Sequence, residues 1–277
     1  ALMNSAGHRA NILGDWSYVT VGVVVVGTRV WVTQNFIRTP TPHSVASAPA
    51  RETLWMLRDT ASPGPPANQV AYGVTGYQTL ACDWDGNGTD TIGVYAGDTF
   101  YLRNDNSPGA PQIVIRYGWP GVTAVCGDWD GNGTDTIGVY SAGQWLLRDQ
   151  NSAGPPHRSF AFGWSAAIPI VGNWDGAGGD GIGVYAAGDW FLRQTPTPGP
   201  AQMAPRYGYA GAVPVRGDWN RDGADGIGVY HAGAWLLRND VSGGAPQVSF
   251  DYGWGGAAPI SADWAGNGVT GVGVIQQ

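Results

Sequence analysis

The chain has no lysine, a single glutamate and only four histidines among its 277 residues. All 14 basic residues are arginines, they form no basic stripe, and the formal net charge is -7. Nucleic-acid binding needs clustered Lys or Arg to neutralise phosphates, so we predict no nucleic-acid partner. No apolar run reaches the roughly 18 residues of a membrane-spanning helix, and we predict no membrane span.

Motifs of catalysis are also missing from the sequence. It contains no H-E-x-x-H zinc motif, no phosphate-binding loop, and no Ser, His and Asp set in a supporting context. Its carboxylates recur in every repeat described below, which suits a scaffold better than a unique acid–base pair. The sequence therefore predicts a protein that is not an enzyme.

Cysteine is scarce, and two residues cannot make a disulfide framework. Cys82 and Cys126 are one residue out of register between adjacent repeats, so they occupy similar but not equivalent strand positions. We favour a free buried pair over a bridge, and the redox compartment stays open on this criterion.

What the chain has in abundance is a repeat with a period of 45 residues. With Gly 45, Pro 19 and 13% charged residues, it should be rich in turns and poor in helices. Three landmarks recur without an insertion: DWDGNGTD-like strings at 83, 128, 173, 218 and 263; WLLR-like strings at 55, 100, 145, 190 and 235; and YG or FG pairs at 72, 117, 162, 207 and 252. Such self-similarity is typical of repeat architectures.

Each repeat contains four short strand signals separated by Gly, Pro, Asn and Asp, the size of one β-propeller blade. We predict an all-β fold: a five-bladed β-propeller of 45-residue, four-stranded blades. Two orphan strands remain at each end, at residues 54–72 and 259–275, and together they complete a composite 2+2 blade. The alternative is an open solenoid, which would leave two half-repeats with unburied faces.

Several side chains recur in every repeat. We interpret the aromatic ones as packing between blades rather than ligand contacts. They are Trp84, Trp129, Trp174, Trp219 and Trp264, with Trp55, Phe100, Trp145, Trp190 and Trp235. An arginine also recurs, and we expect it to pair with an acidic loop residue. These arginines are Arg58, Arg103, Arg148, Arg193 and Arg238.

The acidic loops carry the one motif with explicit chemistry. Oxygen side chains at loop positions 1, 3 and 5, followed by Gly at position 6, can wrap a hard cation such as Ca²⁺. The alternative is a metal-free Asx-type turn, in which Asp and Asn cap backbone N–H groups and an Arg neutralises the Asp at position 8. Both stay open. The candidate calcium ligands are Asp83, Asp85, Asn87 and Asp90; Asp128, Asp130, Asn132 and Asp135; and Asp218, Asn220, Asp222 and Asp225.

These loops resemble the FG-GAP/VCBS, or integrin-α-like, β-propeller repeats, whose loops read D-x-[DN]-x-[DN]-G-x-x-D. The resemblance covers the five repeats and implies a propeller whose loops bind calcium. The family's last carboxylate belongs at position 9, where this chain has Thr or Gly, and the carboxylate stands at position 8 instead. The loops at 173 and 263 further lose an oxygen ligand, to Ala177 and Ala265 respectively.

The first fifty residues do not follow the repeat. The segment GHRANIL at 7–13 and the strands at 19–36 resemble the C-terminal end of bacterial CAP (SCP-like) domains. The resemblance implies a secreted bacterial protein, and His8 matches one histidine of that family's cleft. We predict a truncated CAP-like segment at 1–37, with a short helix and a β-hairpin at 18–36. A Pro/Thr/Ser/Ala linker at 38–50 and the propeller at 51–277 follow.

The leading functional hypothesis is a non-enzymatic extracellular binding or adhesion module with a glycan or protein ligand. Aromatic residues follow the YG/FG pair in four repeats and could stack sugar faces, or could merely cover the blade edges. They are Trp119, Trp164, Tyr209 and Trp254, with Val74 in the remaining repeat. Two alternatives are a structural protein that self-associates through the hairpin, and an accessory domain that positions a CAP-type domain.

Overall fold

The computed structural model describes residues 18–37 and 52–276. The chain divides into two units, Ala1–Ala50 and Arg51–Gln277. The predicted N-terminal helix, His8 and the predicted linker lie outside the described residues. Within the two described ranges, we find no helix that is long and apolar enough to cross a membrane.

The first unit contains a two-stranded antiparallel hairpin, β1 (Tyr18–Val26) and β2 (Arg29–Ile37). It extends one residue beyond the predicted hairpin. Side chains alternate between the faces of a strand, and cross-strand pairing aligns Val23 with Val32 and Val25 with Val30. These four valines are 56–64% exposed. One face of the hairpin is therefore an exposed apolar patch, which we call the valine patch.

The second unit is built of five antiparallel sheets, the blades. Blade 1 comprises β5 (Gln78–Cys82), β6 (Thr91–Ala96), β7 (Thr99–Leu102) and β8 (Ile113–Arg116). Blade 2 comprises β9 (Thr123–Gly127), β10 (Thr136–Ser141), β11 (Gln144–Leu147) and β12 (Arg158–Ala161). Blade 3 comprises β13 (Ile168–Gly172), β14 (Gly181–Ala186) and β15 (Asp189–Arg193). Blade 4 comprises β16 (Val213–Gly217), β17 (Gly226–His231), β18 (Ala234–Leu237) and β19 (Val248–Asp251).

Blade 3 has a shortened fourth strand. It is reduced to two isolated bridges, Asp189 with Arg206 and Leu192 with Met203. Pro205 lies between the bridged residues and has no N–H to donate to a ladder, which accounts for the shortening. The predicted four-stranded pattern thus holds in all five blades, with one edge partly unravelled.

The closing blade joins the two ends of the propeller, as predicted. It comprises β20 (Ala258–Ala262), β21 (Gly271–Gln276), β3 (Glu52–Arg58) and β4 (Asn68–Val74), paired in that order. The first strands of the blades lie side by side around the axis, and β20 neighbours β5 to complete the ring. The Tyr252 hydroxyl donates to the Met56 carbonyl at 3.1 Å across 196 residues of sequence. The open solenoid is therefore excluded.

The recurring aromatics form the core between blades, as predicted. Trp55, Phe100, Trp145, Trp190 and Trp235 are 0% exposed. In four of these positions the indole N–H donates to the carbonyl of the YG/FG aromatic: Trp55 to Tyr72, Trp145 to Phe162, Trp190 to Tyr207 and Trp235 to Tyr252, at 2.8–2.9 Å. Each indole thus buries a large apolar area without leaving its polar atom unpaired.

The recurring arginines anchor the loop between the third and fourth strands, although the predicted acidic partner is found in two blades. Arg103 pairs with Asp105 at 2.7 Å and Arg238 with Asp240 at 3.1 Å. In the other three blades the guanidinium is held by a hydroxyl and a carbonyl: Arg58 by Ser62 and Pro65, Arg148 by Ser152 and Pro155, and Arg193 by Thr197 and Pro200. The loop carbonyl and hydroxyl therefore do most of the anchoring.

The preference for free cysteines is wrong, because Cys82 and Cys126 form a disulfide with a Cα–Cα distance of 6.5 Å. Cys82 lies on β5 and Cys126 on β9, the neighbouring first strands of blades 1 and 2. Successive strand side chains point to opposite faces, so an offset of one residue turns the cysteines to opposite faces of their sheets. Adjacent blades face each other, and the offset therefore brings the two sulfurs together.

Candidate functional site

The antiparallel topology separates two kinds of loop. The acidic loops, which join the first and second strands, lie at one end of every blade, together with the arginine-anchored loops. The hairpin turns between the second and third strands lie at the opposite end, together with the connections that carry Trp119, Trp164, Tyr209 and Trp254. We call these ends the acidic face and the aromatic face.

Four of the five acidic loops are closed by the carboxylate of their first residue; Asn173, which begins the fifth, accepts no N–H of its own loop. The Asp83 carboxylate accepts the backbone N–H groups of Gly86, Asn87 and Gly88 at 2.7–3.1 Å. The carboxylates of Asp128, Asp218 and Asp263 accept N–H groups of their own loops in the same way. These are the hydrogen bonds of an Asx-type turn, which satisfy backbone donors that would otherwise be unpaired.

The residues at loop positions 3 and 5 point to solvent. At position 5, Asn87 accepts the N–H of Thr89 and Asn132 that of Thr134, both at 2.8 Å, while Asp222 accepts that of Ala224 at 3.0 Å. At position 3, Asp85 and Asp130 are exposed, and Asn220 donates to Asp222 at 2.8 Å. Within residues 18–37 and 52–276, no group of three or more His, Cys, Asp or Glu has the arrangement of a metal site. Calcium binding by these loops stays a prediction.

The carboxylates at position 8 turn away from their own loops and bond the preceding blade. Asp135 accepts the N–H of Asp83 at 2.9 Å, and the Asp83 carbonyl accepts the N–H of Asp135 at 2.8 Å. The same reciprocal pair recurs around the ring: Asp180 with Asp128, Asp225 with Asn173, Thr270 with Asp218, and Asp90 with Asp263. We call these five pairs the latches. They hydrogen-bond each blade to the next, including the closing blade to blade 1.

The latch carboxylates surround the mouth of the central channel. They line a cavity of about 320 Å³ together with Arg216 of β16. Arg216 lies 3.8 Å from Asp225 and interacts electrostatically with Asp90, Asp135 and Asp180 as well. It occupies the fourth position of its first strand, where the other blades have Ala81, Cys126, Val171 and Ser261. A single arginine thus faces four carboxylates.

This crowding changes the acidity of the latch carboxylates. Burial raises the pKa of Asp90 to about 6 and the pKa of Asp180 to about 7, against the opposing charge of Arg216. Burial also raises the pKa of Asp135 and of Asp225. Burial alone would lower the pKa of Arg216, but the four carboxylates raise it above its usual value. The mouth is a partly buried charge network in which protons compete with Arg216 to neutralise the carboxylates.

On the aromatic face, four exposed rings follow the fourth strands. Each begins a tight connection whose backbone is fixed, because its carbonyl accepts a buried tyrosine hydroxyl: Tyr95 to Trp119, Tyr140 to Trp164, Tyr185 to Tyr209 and Tyr230 to Trp254, at 2.7–3.1 Å. The aromatic residues stay 40–45% exposed. A glycine precedes each of them, and a Cβ on Gly118 would lie 2.8 Å from the Tyr95 hydroxyl.

Two of these residues pack against an aromatic side chain of the next blade. Trp164 packs edge-on against Phe191 of blade 3 at 5.4 Å, and Tyr209 against His231 of blade 4 at 5.6 Å. These two rings cover the boundary between blades, while all four residues stay partly exposed; sugar stacking by them stays a prediction. We call each of these blade boundaries, with its aromatic residue, a groove.

The groove between blades 1 and 2 holds a cavity of about 310 Å³ that is open to solvent. Trp119 lies on one side, and Leu146 and Pro156 of blade 2 on the other. The rim carries Asp98 and Arg116, which form an ion pair at 2.5 Å. Apolar walls with a few polar groups are typical of small-molecule sites, and the volume lies at the low end of their usual range.

The repeat pattern predicts the four rings but not Asp98, Arg116 or Arg216. Asp98 and Arg216 depart from the repeat: the corresponding residues are Gly143, Gly188 and Gly233 for Asp98, and Ala81, Cys126, Val171 and Ser261 for Arg216. A charged residue at a position where the other repeats have small or neutral ones is the signal that would have found these two. Arg116 gives no such signal, because the corresponding residues of blades 2, 3 and 4 are Ala161, Arg206 and Asp251.

No protein-family model matches the chain, and no curated protein matches it. Among solved structures, it resembles an Agrocybe aegerita lectin that recognises non-reducing terminal N-acetylglucosamine, with 15% identity and a TM-score of 0.44 over 82% of this chain and 71% of the lectin. It also resembles BBS1N, solved in complex with ARL6DN, with 11% identity and a TM-score of 0.43 over 75% of this chain and 66% of BBS1N. We draw nothing about ligands from likenesses of this strength.

Proposed function

We propose that the protein is a non-enzymatic, carbohydrate-binding adhesion module of a bacterial secreted protein. The observation that carries this proposal is the set of exposed aromatic rings on one face, each at a groove between blades. Aromatic rings present a flat apolar surface and lose little side-chain entropy on binding, and loop residues on a rigid scaffold are common binding residues. The apolar face of a sugar ring fits such a surface.

Repetition of the grooves supports adhesion rather than capture of one soluble sugar. Trp119, Trp164, Tyr209 and Trp254 lie on the same face of one rigid ring, at successive blade boundaries. Several weak sites on a rigid support gain avidity when the target surface displays many copies of a ligand. A polysaccharide or a glycosylated cell surface is such a target.

The absence of enzymatic activity is proposed from the roles of the carboxylates. Asp90, Asp135, Asp180 and Asp225 are engaged in the latches. Asp83 and its counterparts close their own loops. These roles recur from blade to blade, as expected of residues that hold a scaffold together.

Secretion is proposed from two observations. The Cys82–Cys126 disulfide is typical of an oxidising compartment. The resemblance of the repeats to FG-GAP propellers, and of residues 1–37 to the end of a CAP domain, points to the same location. The FG-GAP and CAP assignments are themselves part of this proposal.

A glycan array probed with the purified protein tests the proposal. We expect binding to a restricted set of glycans, weakened by Trp119→Ala, Trp164→Ala, Tyr209→Ala or Trp254→Ala and lost when the four are combined. Val114→Ala is the matched control, because Val114 is a 57% exposed residue of β8 outside the grooves. Absence of glycan binding, or binding that survives the fourfold substitution, would refute the proposal.

A second candidate function is self-association through the hairpin, favoured by the valine patch. An isolated hairpin with an exposed apolar face is marginally stable, and burial against another chain would stabilise it. Light scattering should then give a mass above 29.0 kDa. Val23→Asp with Val30→Asp should return the protein to a monomer. A monomeric wild-type protein contradicts this candidate and leaves carbohydrate binding untouched.

A further inference from the structure

The groove at Trp119 differs from its three counterparts in the turn beneath it. In blades 2, 3 and 4 the turn between the second and third strands is Ala-Gly, at 142–143, 187–188 and 232–233, and all six residues have a φ between +50° and +104°. Two successive positive φ values are typical of a type I′ turn. In blade 1 the turn is Gly97-Asp98, and only Gly97 has a positive φ, of 65°. The change of turn allows a side chain at the second position.

In blades 2 and 3, a side chain at the second position of this turn would clash with the backbone. A Cβ on Gly143 would lie 2.7 Å from the Gly163 carbonyl oxygen, and one on Gly188 would lie 2.8 Å from that of Gly208. The backbone role of the position is nevertheless kept in blade 1. The Asp98 carbonyl accepts the N–H of Tyr117 at 2.8 Å, as that of Gly143 accepts the N–H of Phe162. Blade 1 therefore keeps the fold and gains a carboxylate at the rim of its groove.

That carboxylate is held in place by two neighbours. Its Oδ2 accepts from both Nε and Nη2 of Arg116, at 3.1 and 2.5 Å, and its Oδ1 accepts from the Thr99 hydroxyl at 2.8 Å. The Arg116 side chain is 79% exposed and lines the same cavity as Trp119. The rim thus offers a carboxylate acceptor and a guanidinium donor side by side, with cancelling charges, next to an aromatic ring.

We infer that the groove at Trp119 is a site for a neutral pyranose, and that Asp98 and Arg116 determine its specificity. Adjacent hydroxyls of a sugar are both donors and acceptors, so one can donate to Asp98 while its neighbour accepts from Arg116. The apolar face of the sugar ring then lies on Trp119. Because the charges of Asp98 and Arg116 cancel, the rim offers no net attraction to a uronic acid or to an amino sugar. This inference rests on the proposed carbohydrate binding.

The groove at Trp164 is the natural comparison within the molecule. It has Gly143 and Ala161 where the Trp119 groove has Asp98 and Arg116, and its aromatic wall packs on Phe191. It offers a ring without the charged pair. We expect it to bind sugars less selectively, so copying its rim into the Trp119 groove by substitution separates stacking from hydroxyl recognition.

The test uses protein labelled with 5-fluorotryptophan and fluorine NMR, with the resonances of Trp119 and Trp164 identified by Trp119→Phe and Trp164→Phe. The probes are methyl glycosides of glucose, mannose and galactose, with methyl glucuronide as the anionic counterpart. A neutral glycoside should shift the Trp119 resonance. The double variant Asp98→Gly with Arg116→Ala, which copies the blade 2 rim, should weaken that response about tenfold or more. Any response at Trp164 should stay unchanged.

The outcomes separate this inference from the proposed function. Equal binding by the double variant, tighter binding of the glucuronide, or a response at Trp164 without one at Trp119 each overturns the inference and leaves carbohydrate binding standing. A lack of response at every tryptophan overturns both. The melting temperature of the double variant reports whether the turn still folds. If the turn is lost, the single variant Arg116→Ala takes the place of the double variant, because Arg116 lies outside that turn.

Discussion

The carboxylate of Asp135 accepts the backbone N–H of Asp83 at 2.9 Å, although the two residues belong to neighbouring blades. The carbonyl of Asp83 accepts the N–H of Asp135 in return at 2.8 Å. Loss of the carboxylate leaves the Asp83 N–H unpaired, so Asp135→Ala should lower the free energy of unfolding by about 1–3 kcal/mol. Urea unfolding measures the effect.

The molecule supplies its own control for this latch. Thr270 fills the same role with a hydroxyl, at 2.8 Å from the N–H of Asp218. Asp135→Thr should therefore lose much less stability than Asp135→Ala. An equal decrease in the free energy of unfolding for the two variants would show that the side-chain acceptor of this latch contributes nothing to stability.

The channel mouth should make the protein more stable in mild acid than in mild alkali. The pKa values of Asp90 and Asp180 rise from 3.8 in the unfolded chain to about 6 and about 7 in the folded protein. Between these values the folded state binds more protons, so its stability is fully present near pH 4 and declines as the pH rises to about 7. The melting temperature should be higher at pH 5 than at pH 8.

Two variants assign this pH dependence to the mouth. Asp180→Asn should reduce the difference in melting temperature between pH 5 and pH 8, because the amide does not titrate. Arg216→Met leaves the carboxylates without their cation and should cost about 3 kcal/mol at pH 8, and less at pH 5. A wild-type melting temperature that rises from pH 5 to pH 8 would contradict the assignment.

The Cys82–Cys126 bridge should contribute to stability, because it closes a loop of sequence separation 44. Its removal frees the unfolded chain, and we expect Cys82→Ala with Cys126→Ala to lower the free energy of unfolding by about 2–4 kcal/mol. Dithiothreitol should lower the melting temperature of the wild type and leave that of the double variant unchanged. Free thiols in the denatured, unreduced wild type would disprove the bridge.

Single substitutions in three turns on the aromatic face should stabilise the folded protein. Ala142, Ala187 and Ala232 have φ values of 50–52°, a conformation that costs a residue with a Cβ about 1 kcal/mol or more. Substituting Gly at any of them should raise the free energy of unfolding by about 0.5–1 kcal/mol. Ala186→Gly, which adds a glycine within β14, should have the opposite sign. Destabilisation by all four variants would contradict this account.

Calcium binding by the acidic loops predicts a metal-dependent melting temperature, since a ligand of the folded state stabilises it. Added Ca²⁺ should raise the melting temperature and EDTA should lower it, with Mg²⁺ as the comparison ion. Asp85→Ala with Asp130→Ala copies the Ala265 found at position 3 of the loop at 263. These substitutions should abolish much of the Ca²⁺ effect without altering stability in EDTA. A wild-type melting temperature that is unchanged by both additions refutes calcium binding.

The architecture was predictable because each landmark recurs with one spacing, and the split of the repeat at its ends specified the closing blade. The partners of the position 8 carboxylates were not predictable from spacing. Asp135 hydrogen-bonds a residue of another blade, and no local sequence pattern indicates a contact between blades. The cysteine bridge was predictable from the offset between Cys82 and Cys126, because an offset of one residue turns the two side chains to opposite faces of their sheets. Asp98 was not predictable from the repeat, because blades 2, 3 and 4 have Gly at its position, and the ion pair of Arg116 with Asp98 depends on that departure.

The closing blade has a consequence for how the chain is made. β3 and β4 are synthesised before the other strands of the propeller, yet their sheet is completed by β20 and β21, the last propeller strands to be made. Until β21 has been synthesised, β3 presents an unpaired edge, and the preceding blades form an incomplete ring. Contacts as distant as Tyr252 with Met56 form only then. The propeller therefore closes only after its last strand has been made, and a nascent chain released before β21 would retain an exposed strand edge available to aggregate.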